Sequence, residues 1–172
     1  MTCPKCKKDN PQNQDMCPDC DTPAKPIPVL SGSKNHFKDY EIVELSLDDL
    51  PNCSSFWGYP NSRLEKFLKS GERKVFACKT SEEYVGGCAL IIRDNQSGHF
   101  SDFCVREDLR GNGIGSRILE FALDCFNDNS IKTIRLHVLK NNLSAIKLYE
   151  KYGFKYFEDM TLEKIAMVRT FY

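Results

Sequence analysis

From Tyr40 to Leu45 apolar and polar side chains alternate, the period of a half-buried strand. Ser46-Leu-Asp48-Asp49-Leu50 then offers a helix start, and Asn52 to Tyr59, with Phe56-Trp57 at its centre, reads as an aromatic loop. Ser62 and Glu65 stand at capping-box spacing, opening a short helix through Phe67 and Leu68 that Gly71 closes. Lys74 to Thr80 and Tyr84 to Arg93 are strand-like runs around Ser81-Glu-Glu83, a hairpin. Asp94-Asn-Gln-Ser-Gly98 turns into a short apolar strand, Phe100 to Val105. Ile114, Ile118, Ala122 and Cys125 recur at helical spacing, with Leu119 and Phe126 beside them. A strand from Lys132 to Val138, a helix from Ser144 to Tyr152 and strands from Phe154 to Met160 and Leu162 to Thr170 complete the chain. The predicted order is strand, two helices, three strands, helix, strand, helix, two strands.

Before Phe37 this patterning stops. Residues 23–36 carry Pro23, Pro26 and Pro28 and then Ser31-Gly-Ser33, the composition of a linker. Residues 1–22 hold Cys3-Pro-Lys-Cys6 and Cys17-Pro-Asp-Cys20, two C-x-x-C pairs around a polar stretch almost without core-forming side chains. Such a segment cannot hold itself together by burial. Four thiolates in two pairs make the tetrahedral shell that zinc prefers, and metal binding would supply about 10 to 16 kcal/mol. A redox dithiol would open a helix in a βαβ unit, which is lacking here. The segment resembles a short zinc ribbon, although Lys7 and Asp21 stand where that family commonly has glycine. An all-cysteine shell leaves no open position for a catalytic water, so the site is expected to be structural. Residues 37–172 form the second, larger domain.

The 172 residues suffice for one full domain and this appendage. Lysine plus arginine and aspartate plus glutamate both total 24, so net charge argues for neither nucleic acid nor membrane. The aliphatic run Ala89 to Ile92 is too short to span a bilayer, and the N-terminus lacks the basic start and apolar core of a signal peptide. With four of the nine cysteines in metal-type pairs and the others single, a reducing cytoplasm is the expected compartment. Cys53, Cys78, Cys88, Cys104 and Cys125 read as small buried hydrophobes. His36, His99 and His137 are isolated in sequence, show no ligand spacing and are assigned no role.

Between the Phe100 strand and the Ile114 helix lies Arg110-Gly-Asn-Gly113-Ile-Gly115-Ser116. Glycines let the backbone turn tightly and approach a ligand closely, and the orphan amides of a helix start favour an anion. No lysine follows Gly115, which excludes the classical P-loop, and position 116 is not the third glycine of a dinucleotide fingerprint. The Arg-x-x-Gly-x-Gly spacing resembles the acetyl-coenzyme A pyrophosphate loop of the GNAT superfamily of N-acetyltransferases. Leu136-His-Val138 through Asn142 to Leu148-Tyr149 and Gly153-Phe154 is similar to that family's second strand-to-helix segment. The resemblance covers residues 37 to 172. It implies the GNAT acyl-CoA N-acyltransferase fold, of α/β (α+β) class, with a mixed twisted sheet flanked by helices.

What the resemblance implies for chemistry is acetyl transfer from acetyl-CoA to an amine. The amides of Arg110, Gly111, Asn112, Gly113, Ile114, Gly115 and Ser116 would hold the pyrophosphate. Backbone groups of Cys104 and Val105 would pair with the pantetheine arm, and one strand amide would face the thioester oxygen. Asn142 matches the family's cofactor-contacting asparagine; a helix N-cap is its other reading. Tyr149 matches the tyrosine that protonates the departing thiolate; simple packing is the alternative. An alkyl ammonium with pKa ~10.4 needs a base. Where some relatives carry Glu-Asp on the strand before the loop, this chain has Ser101-Asp102, so Asp102 is either the base or a structural carboxylate. No motif places a cysteine as nucleophile, so direct attack is expected. A coenzyme A-binding sensor or scaffold, with the ribbon docking a protein or nucleic acid, is the other class that fits.

Overall fold

Residues 40–53, 57, 61–93 and 96–171 are described by the computed structural model. The expected zinc ligands Cys3, Cys6, Cys17 and Cys20, and the linker after them, lie outside those residues. The described elements follow the predicted order: β1 (Glu41–Glu44), α1 (Leu50–Cys53), α2 (Asn61–Ser70), β2 (Lys74–Lys79), β3 (Tyr84–Arg93), β4 (Ser97–Val105), α3 (Ile114–Asp128), β5 (Thr133–Leu139), α4 (Leu143–Lys151), β6 (Lys155–Asp159) and β7 (Lys164–Thr170). The strands form one mixed sheet, ordered β1-β2-β3-β4-β5-β7-β6, in which only β4 and β5 are parallel. Helix α3 supplies the crossover that a parallel pair requires. No helix among the described residues is long and apolar enough to cross a membrane.

Period-two alternation gives the sheet two apolar faces. One face carries Phe76, Cys88, Leu90, Phe100, Leu136 and Met167. Against it lies the α3 stripe Ile114, Ile118, Leu119, Ala122 and Phe126, all buried as the helical spacing predicted, with Leu123 buried beside them. Tyr149 of α4 and Phe154 close the same cluster. The other face carries Val75, Ala77 and Ala89, covered by Leu64, Phe67 and Trp57.

Several boundaries differ from the sequence reading. Ser62 does not cap α2, because Asn61 is already helical, and Glu65 instead pairs with Lys69 at i,i+4, 2.5 Å away. Ser-x-x-Glu has the same spacing inside a helix as at its start. The box-like bonds occur at Ser46, whose amide and hydroxyl both donate to Asp49 Oδ2 at 2.8 and 2.7 Å. Strand β4 begins at Ser97 rather than Phe100, because Ser97 to His99 have partners on both β3 and β5. Gly98, which suggested a turn, is there for space: a Cβ would stand 2.5 Å from Phe126 Cε1. Helix α4 starts at Leu143, one residue early.

Candidate active site

Strands β4 and β5 are in register from Ser97↔Thr133 to Phe100↔Leu136 and pair no further. The reason is in β4 itself. Its register with β3 shifts between Ala89↔Ser101 and Gly87↔Cys104, so one extra residue is inserted, a β-bulge. At the bulge Asp102 has φ +50, the left-handed region that aspartate tolerates better than most side chains. Beyond it β4 has no pairing with β5, and a cavity of about 300 Å³ lies there. Ser101, Asp102, Phe103, His137, Asn142 and Tyr149 are among its lining residues.

The Asp102 side chain is only 8% exposed and fully engaged. Its Oδ2 accepts from Arg73 Nη1 at 2.9 Å and from Ser101 Oγ at 2.9 Å, and its Oδ1 from Arg63 Nη2 at 3.2 Å. The arginines are held in turn over the Phe67 ring, at 4.2 Å for Arg73 and 5.5 Å for Arg63. The carboxylate ties the bulge to α2 and to the residue before β2.

Val105 and Cys104 face opposite ways. The Arg106 amide donates to Val85 O at 2.9 Å, which makes 85–106 a hydrogen-bonded pair and, two residues along, 87–104 as well. The Cys104 backbone is therefore directed towards β3, since strand pairing decides what sequence position cannot. Val105 turns its backbone to the opened edge, where its carbonyl accepts from Arg110 Nε at 3.1 Å.

After Val105 a 3-10 turn, Glu107–Leu109, leads into the glycine loop. Gly111 and Gly113 both have φ +82, a conformation that a Cβ would strain. Gly113 is the N-cap of α3, and the first helical bond runs from the Arg117 amide to Gly113 O at 3.1 Å. The amide of Arg110 is already spent on Glu107 O at 3.2 Å. Among the described residues no acceptor meets the successive amides of Gly111, Asn112, Gly113, Ile114, Gly115 and Ser116. A run of such donors at the positive end of a 15-residue helix suits a phosphate. Gly115 also lets the loop lie close to the sheet, since a Cβ there would reach Phe103 Cζ at 3.2 Å.

Tyr149 is buried among Phe100, Phe103 and Phe154, with ring centroids 5.8 to 6.2 Å away. Its ring is thus packed, and its hydroxyl has no hydrogen-bond partner among the described residues. Burial, and then the neighbouring Cys88, push its pKa up, so the phenol keeps its proton. Asn142 caps α4, its Oδ1 accepting from the Ala145 amide at 3.2 Å and from Ser144 Oγ at 3.1 Å, while it also lines the cavity. Burial raises the thiols of Cys53, Cys78 and Cys125 to about 11 and that of Cys104 to about 12. None is a ready thiolate.

Some of the site was missed. Arg63 and Arg73 bond Asp102 across 39 and 29 residues of sequence, and no local pattern announces this. His99 and His137, expected to be isolated, pack edge to face at 4.9 Å. The parallel pairing of β4 with β5 brings them together, although alternation in the Lys132 to Val138 run already set His137 on the face opposite Leu136 and Val138.

A sheet opened between two parallel strands, beside a glycine loop at a helix start, is an arrangement suited to a phosphate-bearing ligand. The acetyltransferase (GNAT) family model matches residues 40–154, and the chain belongs to that family. It is 34% identical over 71 residues to the chloroplastic GCN5-related N-acetyltransferase 6 of Arabidopsis thaliana, a match covering 41% of this chain and 25% of that protein. The chain thus spans about a quarter of that relative's length. It is 27% identical over 117 residues to the ribosomal protein bS18-alanine N-acetyltransferase of Salmonella typhimurium, covering 66% of this chain and 79% of that one. In fold it is similar to the PaiA N-acetyltransferase of Thermoplasma acidophilum in complex with coenzyme A, with TM-score 0.61 and 18% identity over 77% of this chain and 99% of that one.

Proposed function

We propose that this chain is an acetyl-CoA-dependent N-acetyltransferase that passes the acetyl group directly to an amine. The observation that carries the reading is the run of amides from Gly111 to Ser116, without acceptors among the described residues, beside the β4–β5 opening. Those amides would bind the pyrophosphate, and the exposed edge of β4 at Val105 would pair with the pantetheine arm. A main-chain amide on that edge would stabilise the oxyanion without reorganising. Tyr149, protonated and with no partner for its hydroxyl among the described residues, would give its proton to the departing thiolate. Asn142, besides capping α4, would contact the cofactor from the cavity wall.

Thiol release from acetyl-CoA, followed over a panel of amines, tests this reading. The panel holds a peptide with a free N-terminal alanine, a lysine peptide, spermidine and an aminoglycoside. Wild type is expected to turn over at least one, and Tyr149→Phe to do so about a hundredfold more slowly. Coenzyme A binding without turnover of any amine would make the chain a sensor or scaffold instead.

We also infer one structural zinc ion on Cys3, Cys6, Cys17 and Cys20, supported by the spacing of the two pairs and their all-thiolate donor set. On this reading the ribbon is a docking element for a protein partner, and a reducing cytoplasm is its compartment. Metal analysis of protein purified without added zinc should find about one zinc per chain, lost in the double variant Cys3→Ser, Cys6→Ser. Metal-free wild type would remove the proposal.

A further inference from the structure

Of the described residues that line the β4–β5 cavity, Lys164 is the one lysine. It opens β7 and pairs with Leu139, three residues past Leu136, where β5 no longer pairs with β4. Paired residues share a face, so Lys164 and Leu139 lie on the side of the sheet turned away from Leu136 and α3. The backbone there is fixed from both sides. The Lys164 amide donates to Thr161 Oγ1 at 3.1 Å, and its carbonyl accepts from the Met160 amide at 2.9 Å. Beside it, the Lys140 amide donates to Glu163 O at 2.8 Å.

The side chain, by contrast, is uncommitted. It is exposed, and among the described residues its Nζ has no hydrogen-bond or ion-pair partner. Other lysines are held elsewhere: Lys69 by Glu65, Lys74 by Glu44, Lys79 by Glu41 and Lys140 by Asp159. The charge of Lys164 is felt inside the cavity, since after burial and Arg135 it lowers the pKa of His137, another lining residue. Tyr149 reaches the same cavity from the α4 side. A primary amine on a flexible stem and a phenolic proton donor thus meet one chamber, and such proximity replaces a bimolecular encounter.

We propose that Lys164 is itself an acceptor of this site, acetylated on Nζ by acetyl-CoA bound to the same chain. The proposal rests on the acetyltransferase reading. The Lys164 ammonium releases one proton to solvent, and the free amine forms the new N–C bond at the thioester carbon. Collapse breaks the C–S bond. The sulfur takes the Tyr149 proton, and the second proton from nitrogen restores the phenol. A lysine ammonium and acetyl-CoA become acetyl-lysine, the coenzyme A thiol and one released proton, with no oxidant or further reactant. The product amide carries no charge, so one cation leaves the wall that an acceptor ammonium must approach.

In the test, the full chain is incubated without added amine in acetyl-CoA bearing a deuterated acetyl group, then digested and mapped by mass spectrometry. The amine panel is run on the same preparation. Label at Lys164 should grow at least about tenfold faster than at the exposed Lys155 of β6, at a rate constant unchanged by about tenfold dilution of the protein. Excess desulfo-coenzyme A should suppress label at Lys164 and leave Lys155 as it was. Lys164→Arg should lose the fast label, with no other lysine gaining it. Equal label at Lys164 and Lys155 would mean solution chemistry, and a rate constant rising with protein concentration would mean transfer between chains; either overturns the proposal. Turnover of a panel amine with Lys164 unlabelled would overturn it alone and leave the acetyltransferase reading standing. Coenzyme A binding with neither amine turnover nor label would overturn that reading itself.

Discussion

From Ser97 to Phe100, β4 is paired on both sides, with β3 and with β5. From Ser101 to Val105 it is paired with β3 alone. One strand thus serves as sheet interior at one end and as a binding edge at the other, and a single inserted residue at Asp102 separates the two regimes. In the paired half, Gly98 and Phe100 pack against the α3 side and their backbone groups are satisfied within the sheet. In the opened half the Val105 amide is left to a ligand, and ion pairs from Asp102 to Arg63 and Arg73 anchor the bulge. The site follows from what the sheet leaves unpaired.

The sharpest way to break this contrast is Asp102→Ala. It strips Arg73, whose side chain is 26% exposed, of a partner that is itself 8% exposed. About 3 kcal/mol of stability should go, allowing for the more exposed Arg63, and thermal denaturation would show it. Lost activity with an unchanged Tm would return the carboxylate to the role of base.

Gly98→Ala probes the paired half. The new Cβ would meet Phe126 Cε1 at 2.5 Å and Cδ1 at 2.7 Å, and that ring is fully buried. Overpacking of this kind should cost about 2 kcal/mol, read as a fall in the denaturant midpoint. An unchanged midpoint would mean that the ring moves freely and that the tight packing of this half is overstated.

The smallest effect concerns His99, in the paired half beside the opening. Burial first, then His137 and three arginines, lower its pKa from 6.5 to about 4. The unfolded chain therefore binds the proton first. Stability is fully present above about pH 6.5 and is lost as pH falls towards 4, by about 1 to 2 kcal/mol. His99→Gln should flatten that acid limb in Tm against pH, and an identical slope would assign it to other groups.

The element order was readable because α3 and the strands keep strict periods: every residue of the predicted α3 stripe is buried except Cys125, which is half-buried. The glycine loop was readable because positive φ at Gly111 and Gly113 leaves a compositional trace. Misreadings came where one local pattern serves two structures. Ser-x-x-Glu sits inside α2 as readily as before it, and Gly98 serves close packing as readily as a turn. The arginines that bond Asp102 were not legible, because they stand 29 and 39 residues away in sequence.

Periodicity, turn chemistry and the spacing of the glycines, all short-range properties, were enough to determine the element order, the family resemblance and the loop suited to phosphate. The tertiary structure alone decided that β4 bulges at Asp102, that Cys104 faces β3 while Val105 faces the opening, and that His137 and Tyr149 share one cavity. Each of these depends on strand register and on contacts between distant segments. A one-residue change of register reverses every facing without altering the local pattern.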